Sequence, residues 1–339
     1  MARKSYVGDI IALRAEQIMQ KFKSGEFPDK TFSKLYAKYL NISTRPGLIL
    51  DIKDKKIYQC YCITQETEDF LTFHDKYAFL FDFRADFRGL EKWMKESKKR
   101  PRPYYCSKKD IPKQIKESIK RGSDFTNRFF VIIVPQAPRY PFAVSIIDGK
   151  YTYVEFSNHF DAIHGSKDTS MSIIKEKKVV YNENKLSYDC LTKISRITKD
   201  YTKIIGVNTM CEFFIIDNMP CLISSQRRSQ KKVSLCLPQF ERTKQISQGP
   251  ICGTIKYINK MTLPETIKQL SQTDKEYVFL AKRPNSEFVE LLKFSNGFIF
   301  EEGGLLCHLA ILLREKGISA RIIQNSTLKF RDGEKIALK

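Results

Sequence analysis

Residues 298–323, FIFEEGGLLCHLAILLREKGISARII, constrain the fold more than any other stretch of the chain. Phe298-Ile299-Phe300 reads as a strand and Gly303-Gly304 as a flexible turn. A helix starts near Leu306 and stops at Gly317, a helix-terminating glycine preceded by Arg314 and Lys316. The same alternation runs back to about residue 236: ICGTIKYIN, YVFLAKRP, GFIFEEGG and SARIIQN are short strands, and SEFVELLKFS is a helix between them. Residues 236–339 are therefore expected to form a compact β/α unit with its own core.

This reading puts His308 in the first turn of a helix. Free N–H groups and the positive end of the helix dipole favour an anion there and disfavour an imidazolium. A neutral imidazole is a competent nucleophile toward phosphorus, and the phosphoryl group it gains would meet the same donors. Gly303 and Gly304 let the backbone approach that group with no side chain in the way. The bland alternative is a structural histidine, since any polar residue can serve at a helix start.

The rest of the chain is strand-rich after a helical beginning. Residues 8–40 carry Ile10, Ile11, Leu13, Ile18, Met19, Phe32, Leu35, Tyr36 and Leu40 at roughly helical spacing, and Arg45-Pro46-Gly47 ends the pattern. GLILDIKDKKIYQCYCIT (47–64) is expected to be a hairpin turning near Asp54, and KYAFLFDFRADF (76–87) a further strand region. The stretch 89–122 is charged and helical in composition, broken by Pro101 and Pro103. RFFVIIVPQAP (128–138) is a continuous apolar run, expected to be a strand buried on both faces. Hairpins are expected around Asp148-Gly149 and Asp217-Asn218. The fold class is α/β or α+β, with segments 1–44 (helical), 45–235 and 236–339.

Composition excludes several classes. Hydrophobic residues make up 42% of the 339, with 15 glycines and 13 prolines, which is a folded composition. There is no run of apolar residues long enough to span a bilayer and no secretory leader, so a cytoplasmic location with no membrane partner is expected. The nine cysteines are odd in number and form no CxxC pair, which reads as buried thiols in a reducing compartment. Lys and Arg number 59 against 38 Asp and Glu, a formal charge of +21 that favours anionic partners. The clusters KESKKRPRP (95–103), KDIPKQIKESIKR (109–121) and SSQRRSQKK (224–232) are spread along the chain, so nucleic-acid binding and a lysine-rich surface without a partner both remain open.

The segment 298–323 resembles the phosphohistidine motif of the mobile, swivelling domain of phosphoenolpyruvate-utilising enzymes. In that family the pattern runs Gly-Gly, two or three small or hydroxyl residues, His, then Ala-Ile, a basic residue and Gly-Ile. Gly303, Gly304, His308, Ala310, Ile311, Arg314, Glu315, Gly317 and Ile318 fall in register. SQGPICGTIKYI (247–258) is similar to the family's opening strand, and LKFRDGEKIAL (328–338) to its closing hairpin, built on Asp332-Gly333. The resemblance implies that His308 is the phosphoryl carrier, with Gly303, Gly304, Cys307 and Arg314 around the group it carries. Leu306-Cys307 departs from the usual Thr-Ser, so a hydroxyl donor is replaced by an aliphatic chain and a weak thiol.

Residues 128–226 resemble the second half of the family's ATP-grasp nucleotide domain, in shortened form. The resemblance implies ATP and Mg2+ as cofactors, Glu155 in the nucleotide cleft and Glu212 as the Mg2+ ligand, since hard magnesium favours carboxylate oxygen. Gln226 and Arg228 would supply the family's Gln-x-Arg element after a two-residue shift, which keeps the same strand face. Without the shift, Ser224 and Gln226 occupy those places and the arginine charge is lost. FLFDFRADF (79–87) nominates Arg84. Glu155 and Glu212 could equally be solvent-facing strand residues. The phosphoenolpyruvate-binding barrel of the larger enzymes has no counterpart here.

These features imply an ATP-dependent phosphotransferase of dikinase type, passing a phosphoryl group through His308 to an acceptor the sequence does not specify. The alternatives are a degraded pseudoenzyme with a binding or regulatory role, and a basic nucleic-acid-associated protein.

Overall fold

The computed structural model describes residues 9–64, 75–83, 104–136, 140–159, 169–183, 186–207, 209–227, 243–270 and 277–338. The architecture is mixed α/β. It divides into two compact units, the first comprising 1–138, 211–214 and 220–227, the second 139–210, 215–219 and 228–339.

The first unit is built on a sheet of order β1-β3-β2-β6-β4-β5. Its elements are β1 (Ile10–Ile11), α1 (Ala15–Lys23), α2 (Asp29–Tyr36), β2 (Leu48–Lys53), β3 (Lys56–Cys62), β4 (Lys76–Asp82), β5 (Tyr104–Ser107), α3 (Ile111–Ser123) and β6 (Arg128–Pro135). The β2–β3 hairpin turns on Asp54 and Lys55, both left-handed (φ 49° and 64°), as a tight two-residue connection requires. β6 lies between β2 and β4 and is buried from Phe129 to Pro135, which is the both-faces burial its apolar run implies. Alternation sends Phe129, Val131 and Ile133 into one core with Ile111 and Ile115 of α3. Phe130 faces the other way and meets Phe27 edge-on, ring centroids 5.7 Å apart.

Residues 8–40 are not helical throughout. Ile10 and Ile11 pair in parallel with Cys60 and Tyr61 of β3, where two β-branched residues extend a sheet edge. Residues 37–40 close the helical stretch as a 3-10 turn. Helix α2 starts behind Pro28, which offers no capping side chain. Asp82 of β4 supplies the cap instead, accepting from the Thr31 amide and the Thr31 hydroxyl, each at 2.7 Å. Burial raises its carboxyl to about 6 against the opposing pull of Thr31.

In the second unit β7 (Phe142–Asp148), β8 (Tyr151–Ser157), β9 (Ser170–Lys175) and β10 (Lys178–Asn182) form an antiparallel meander. Gly149 (φ 58°) makes the β7–β8 turn. Helix α4 (Tyr188–Ile205) meets this sheet through buried hydroxyls, Thr152 with Ser195 at 2.8 Å and Ser145 with Thr198 at 2.5 Å. The hairpin of β11 (Thr209–Ile216) and β12 (Met219–Arg227), whose residues are divided between the two units, turns on Asp217 and Asn218 at φ 50° and 60°.

A separate six-stranded sheet of order β13-β17-β16-β15-β14-β18 follows. Its elements are β13 (Thr243–Ser247), β14 (Ile251–Tyr257), α5 (Leu263–Leu270), β15 (Tyr277–Ala281), a 3-10 segment (Ser286–Phe294), β16 (Ser295–Phe300), α6 (His308–Lys316), β17 (Ala320–Ile323), α7 (Ser326–Lys329) and β18 (Lys335–Leu338). Strands β14 to β17 are mutually parallel, and β13 and β18 run antiparallel on the two edges. The expected closing hairpin at 328–338 is corrected. Residues 326–329 are helical, and the turn at Gly333 (φ 82°) sends β18 to pair with β14. Ile336 and Leu338 thereby cover the Ile251, Ile255, Val278 and Ile299 core.

Candidate functional site

His308 is the first residue of α6, as its sequence position implies. Cys307 occupies the N-cap with an extended backbone (φ −66°, ψ 159°), and Gly317 closes the helix in the left-handed conformation (φ 67°). Leu309, Ala310, Ile311 and Leu313 anchor the helix in the core, while His308 is half-buried. Burial pushes the Cys307 thiol up to about 12, and the amides of Leu309 and Ala310 pull the other way without closing a capping hydrogen bond. The thiol is therefore neutral and lies 3.9 Å from the Pro284 carbonyl. It is a weak substitute for a hydroxyl cap.

The two glycines ahead of the helix serve different needs. Gly303 has φ 136°, and a Cβ there would come within 2.4 Å of Pro284. At Gly304 a Cβ would stand 2.7 Å from a carboxylate oxygen of Glu155 and 2.9 Å from the Thr169 hydroxyl. Both oxygens of Glu155 are held at this loop: Oε1 accepts from the Leu305 amide, and Oε2 from the Leu306 amide at 2.8 Å. Glu155 is only 5% exposed, which removes the solvent-facing reading of this strand residue. Its field reaches Arg314, whose guanidinium is lowered to about 10 by burial, with Glu155 and Cys307 opposing. Arg314 Nη1 donates to the Ile246 carbonyl at 3.4 Å, while its buried Nε and Nη2 have no hydrogen-bond partner among the described residues. The structure thus brings Gly303, Gly304, Glu155, Cys307, His308 and Arg314 into one neighbourhood of the second unit.

In the first unit Glu212 of β11 is also buried, and it accepts from Ser224 of β12 at 2.7 Å. Gln226, two residues on, is half-buried, and the Arg227 amide donates to Asp29. Arg84 and Arg228 lie outside the described residues. The sequence reading missed the cations here. Lys34 of α2 is 4% exposed and donates to the Ile223 carbonyl. Burial pulls its ammonium down to about 8, Arg45 and Lys30 push the same way, and Cys221 and Glu212 oppose. Arg45 donates to the Pro135 carbonyl and lies over the Phe214 ring at 5.6 Å. The available signal was a lysine on the apolar face of an amphipathic helix, between Phe32 and Leu35.

A family model described as PEP-utilising enzyme, mobile domain, matches residues 273–338. The match spans β15 to β18 and contains the whole His308 loop and helix, so this segment is similar to that domain. No curated protein matches the chain. Among solved structures, the D-alanine–D-alanine ligase of Bacillus anthracis complexed with ATP is similar at 14% identity over 58% of this chain and 52% of that one, TM-score 0.34. The Helicobacter pylori D-alanine–D-alanine ligase is similar at 16% identity over 58% and 50%, TM-score 0.32. ATP citrate lyase from Methanothrix soehngenii is similar at 8% identity over 82% and 90%, TM-score 0.29. The chain spans about half the length of these two ligase structures. Among the described residues, no helix is long and apolar enough to cross a membrane, and no group of three or more His, Cys, Asp or Glu is arranged to hold a metal ion.

Proposed function

We propose that this protein is an ATP-dependent phosphotransferase in which His308 carries the phosphoryl group between nucleotide and acceptor. The observation that carries the reading is the loop ahead of His308, whose consecutive amides at Leu305 and Leu306 already hold an oxyanion pair from a carboxylate. A loop able to do that can hold phosphoryl oxygens in the same way. A ring nitrogen of neutral His308 attacks phosphorus, the phosphorus–oxygen bond to the departing phosphate breaks, and the negative charge stays on that leaving group.

On this reading the nucleotide phosphates are met by Lys34 and Arg45, two cations gathered with a buried carboxylate, Glu212. Glu212 would hold Mg2+, because hard cations favour charged oxygen. The metal would neutralise phosphate charge when bound. Gln226, half-buried near the end of β12, would follow as a further polar contact.

The test is incubation with ATP labelled at the β or γ phosphorus. An acid-labile, base-stable adduct on His308 is expected, and His308→Ala should abolish it with little loss of stability, since the half-buried side chain contributes little packing. Label on Ser, Thr or Asp, or label surviving in the alanine variant, would reject the reading. A protein that binds nucleotide without labelling would instead be a binding or regulatory relative, the reading favoured by Leu306 and Cys307 where hydroxyls would serve better.

A further inference from the structure

Both oxygens of Glu155 are engaged by the Leu305 and Leu306 amides, two consecutive donors that end two residues before His308. The carboxylate comes from β8, 150 positions earlier in the chain, so its presence at the loop is a tertiary arrangement and not local turn chemistry. Three further features fit an anion at this point. Gly304 leaves the space that the Glu155 oxygen occupies. Thr169 offers a hydroxyl on the same spot. Arg314 contributes a buried positive field acting on Glu155, and two of its nitrogens, Nε and Nη2, have no hydrogen-bond partner among the described residues.

We propose that Glu155 is a positioning residue that stands in for the phosphoryl group: its carboxylate holds the 305–306 amides while His308 is unmodified, and a phosphoryl group on His308 displaces it. This rests on the proposal that His308 is phosphorylated, but not on ATP as the donor. A carboxylate offers two oxygens and one charge, whereas a phosphoryl group offers three oxygens and more charge, so it is the stronger ligand for the same donors. While Glu155 stays in place, it both fills the donors and repels an incoming phosphate. Leaving, it frees the His308 loop from β8. The mobile domain thereby has a contact with β8 that depends on the chemical state of its own histidine.

The test uses the full chain and potassium phosphoramidate, which labels histidine without an enzyme. The imidazole nitrogen attacks phosphorus, the phosphorus–nitrogen bond of the reagent breaks, and the departing nitrogen leaves as ammonia with the proton released from the ring. In Glu155→Gln one acceptor becomes an N–H donor facing the loop, so hydrogen–deuterium exchange at the Leu305 and Leu306 amides is expected to accelerate about tenfold, and labelling of His308 to accelerate similarly. Once labelled, the variant should recover the protection of those amides. A merely structural Glu155 would not make labelling faster. Glu155→Ala, which removes both acceptors and leaves the glycines intact, should act in the same direction and serves if the first variant does not fold. Equal amide exchange in wild type and variant, or labelling that is unchanged or slower, would overturn the proposal. If ATP fails to label the protein while phosphoramidate gives the expected pattern, the ATP reading falls and the role of Glu155 stands.

Discussion

Two cations in the first unit, half-buried Arg128 and buried Lys34, are treated in opposite ways. Arg128 makes a two-point contact with the fully buried Asp51, Nε to Oδ1 at 3.0 Å and Nη2 to Oδ2 at 2.6 Å, and a further bond to Glu26 at 2.9 Å. The hydrogen bonds and charge of Asp51, with Glu26, lift its guanidinium further above its ordinary value against burial, and Glu26 is lowered in return by Lys21 and Arg128 although burial opposes. Lys34 meets a backbone carbonyl, and the basic groups Arg45 and Lys30 add to the effect of burial on it. One cation is satisfied by the fold. The other is held at a cost that an arriving anion would relieve. A charge with its full complement of partners is structural, and a buried one whose burial and basic neighbours outweigh its acidic ones is poised for a ligand.

The contrast is broken most forcefully at Asp51. Asp51→Ala leaves Arg128 with only Glu26 and should lower unfolding stability by about 3 kcal/mol, read from a denaturant midpoint, with nucleotide affinity unchanged. A loss under about 1 kcal/mol would mean that the pair contributes no more than a surface ion pair. The mirror outcome is expected at Lys34. Lys34→Met keeps the volume and removes the charge, so stability should hold or rise while affinity for ATP drops about 100-fold by calorimetry. If Lys34→Met is destabilised and still binds ATP, the roles assigned to the two cations are wrong.

The smallest effect sharpens the comparison through protons. An ammonium lowered to about 8 in the folded chain, against 10.5 unfolded, contributes stability that is fully present above 10.5 and lost as pH falls through about 8. Nucleotide phosphate should raise it again. At pH 8, binding should therefore take up about half a proton, measured as the dependence of the binding enthalpy on buffer ionisation heat. No uptake would place the phosphates away from Lys34.

What was legible in the sequence was local. Asp54-Lys55, Gly149 and Asp217-Asn218 announce their turns because a left-handed residue must appear where a hairpin reverses, and Gly317 announces the end of α6 for the same reason. His308 could be placed because its helix lies within one short motif. The partners of the candidate sites could not. Lys34 meets Ile223 from 189 positions away, and Glu155 meets Leu306 from 151. Nothing in residues 142–157 marks Glu155 as facing a glycine loop, and only the tertiary arrangement shows what Gly304 makes room for. The strand at Ile10–Ile11 was missed because its pairing depends on β3, and a pair of isoleucines suits either period.

The cap on α2 has a consequence for how the chain acquires its shape. The helix is 8 residues long and begins at a proline with no capping side chain, so on its own it is too short to persist in water. Its missing acceptor is Asp82, 51 positions later and on the far side of the β2–β3 hairpin in the chain. Closing a loop of that length carries a chain-entropy cost that a cap from the adjoining residues would not. The residue that carries the poised charge, Lys34, thus rides on an element whose cap is supplied by β4, so loosening that strand would release the cation as well.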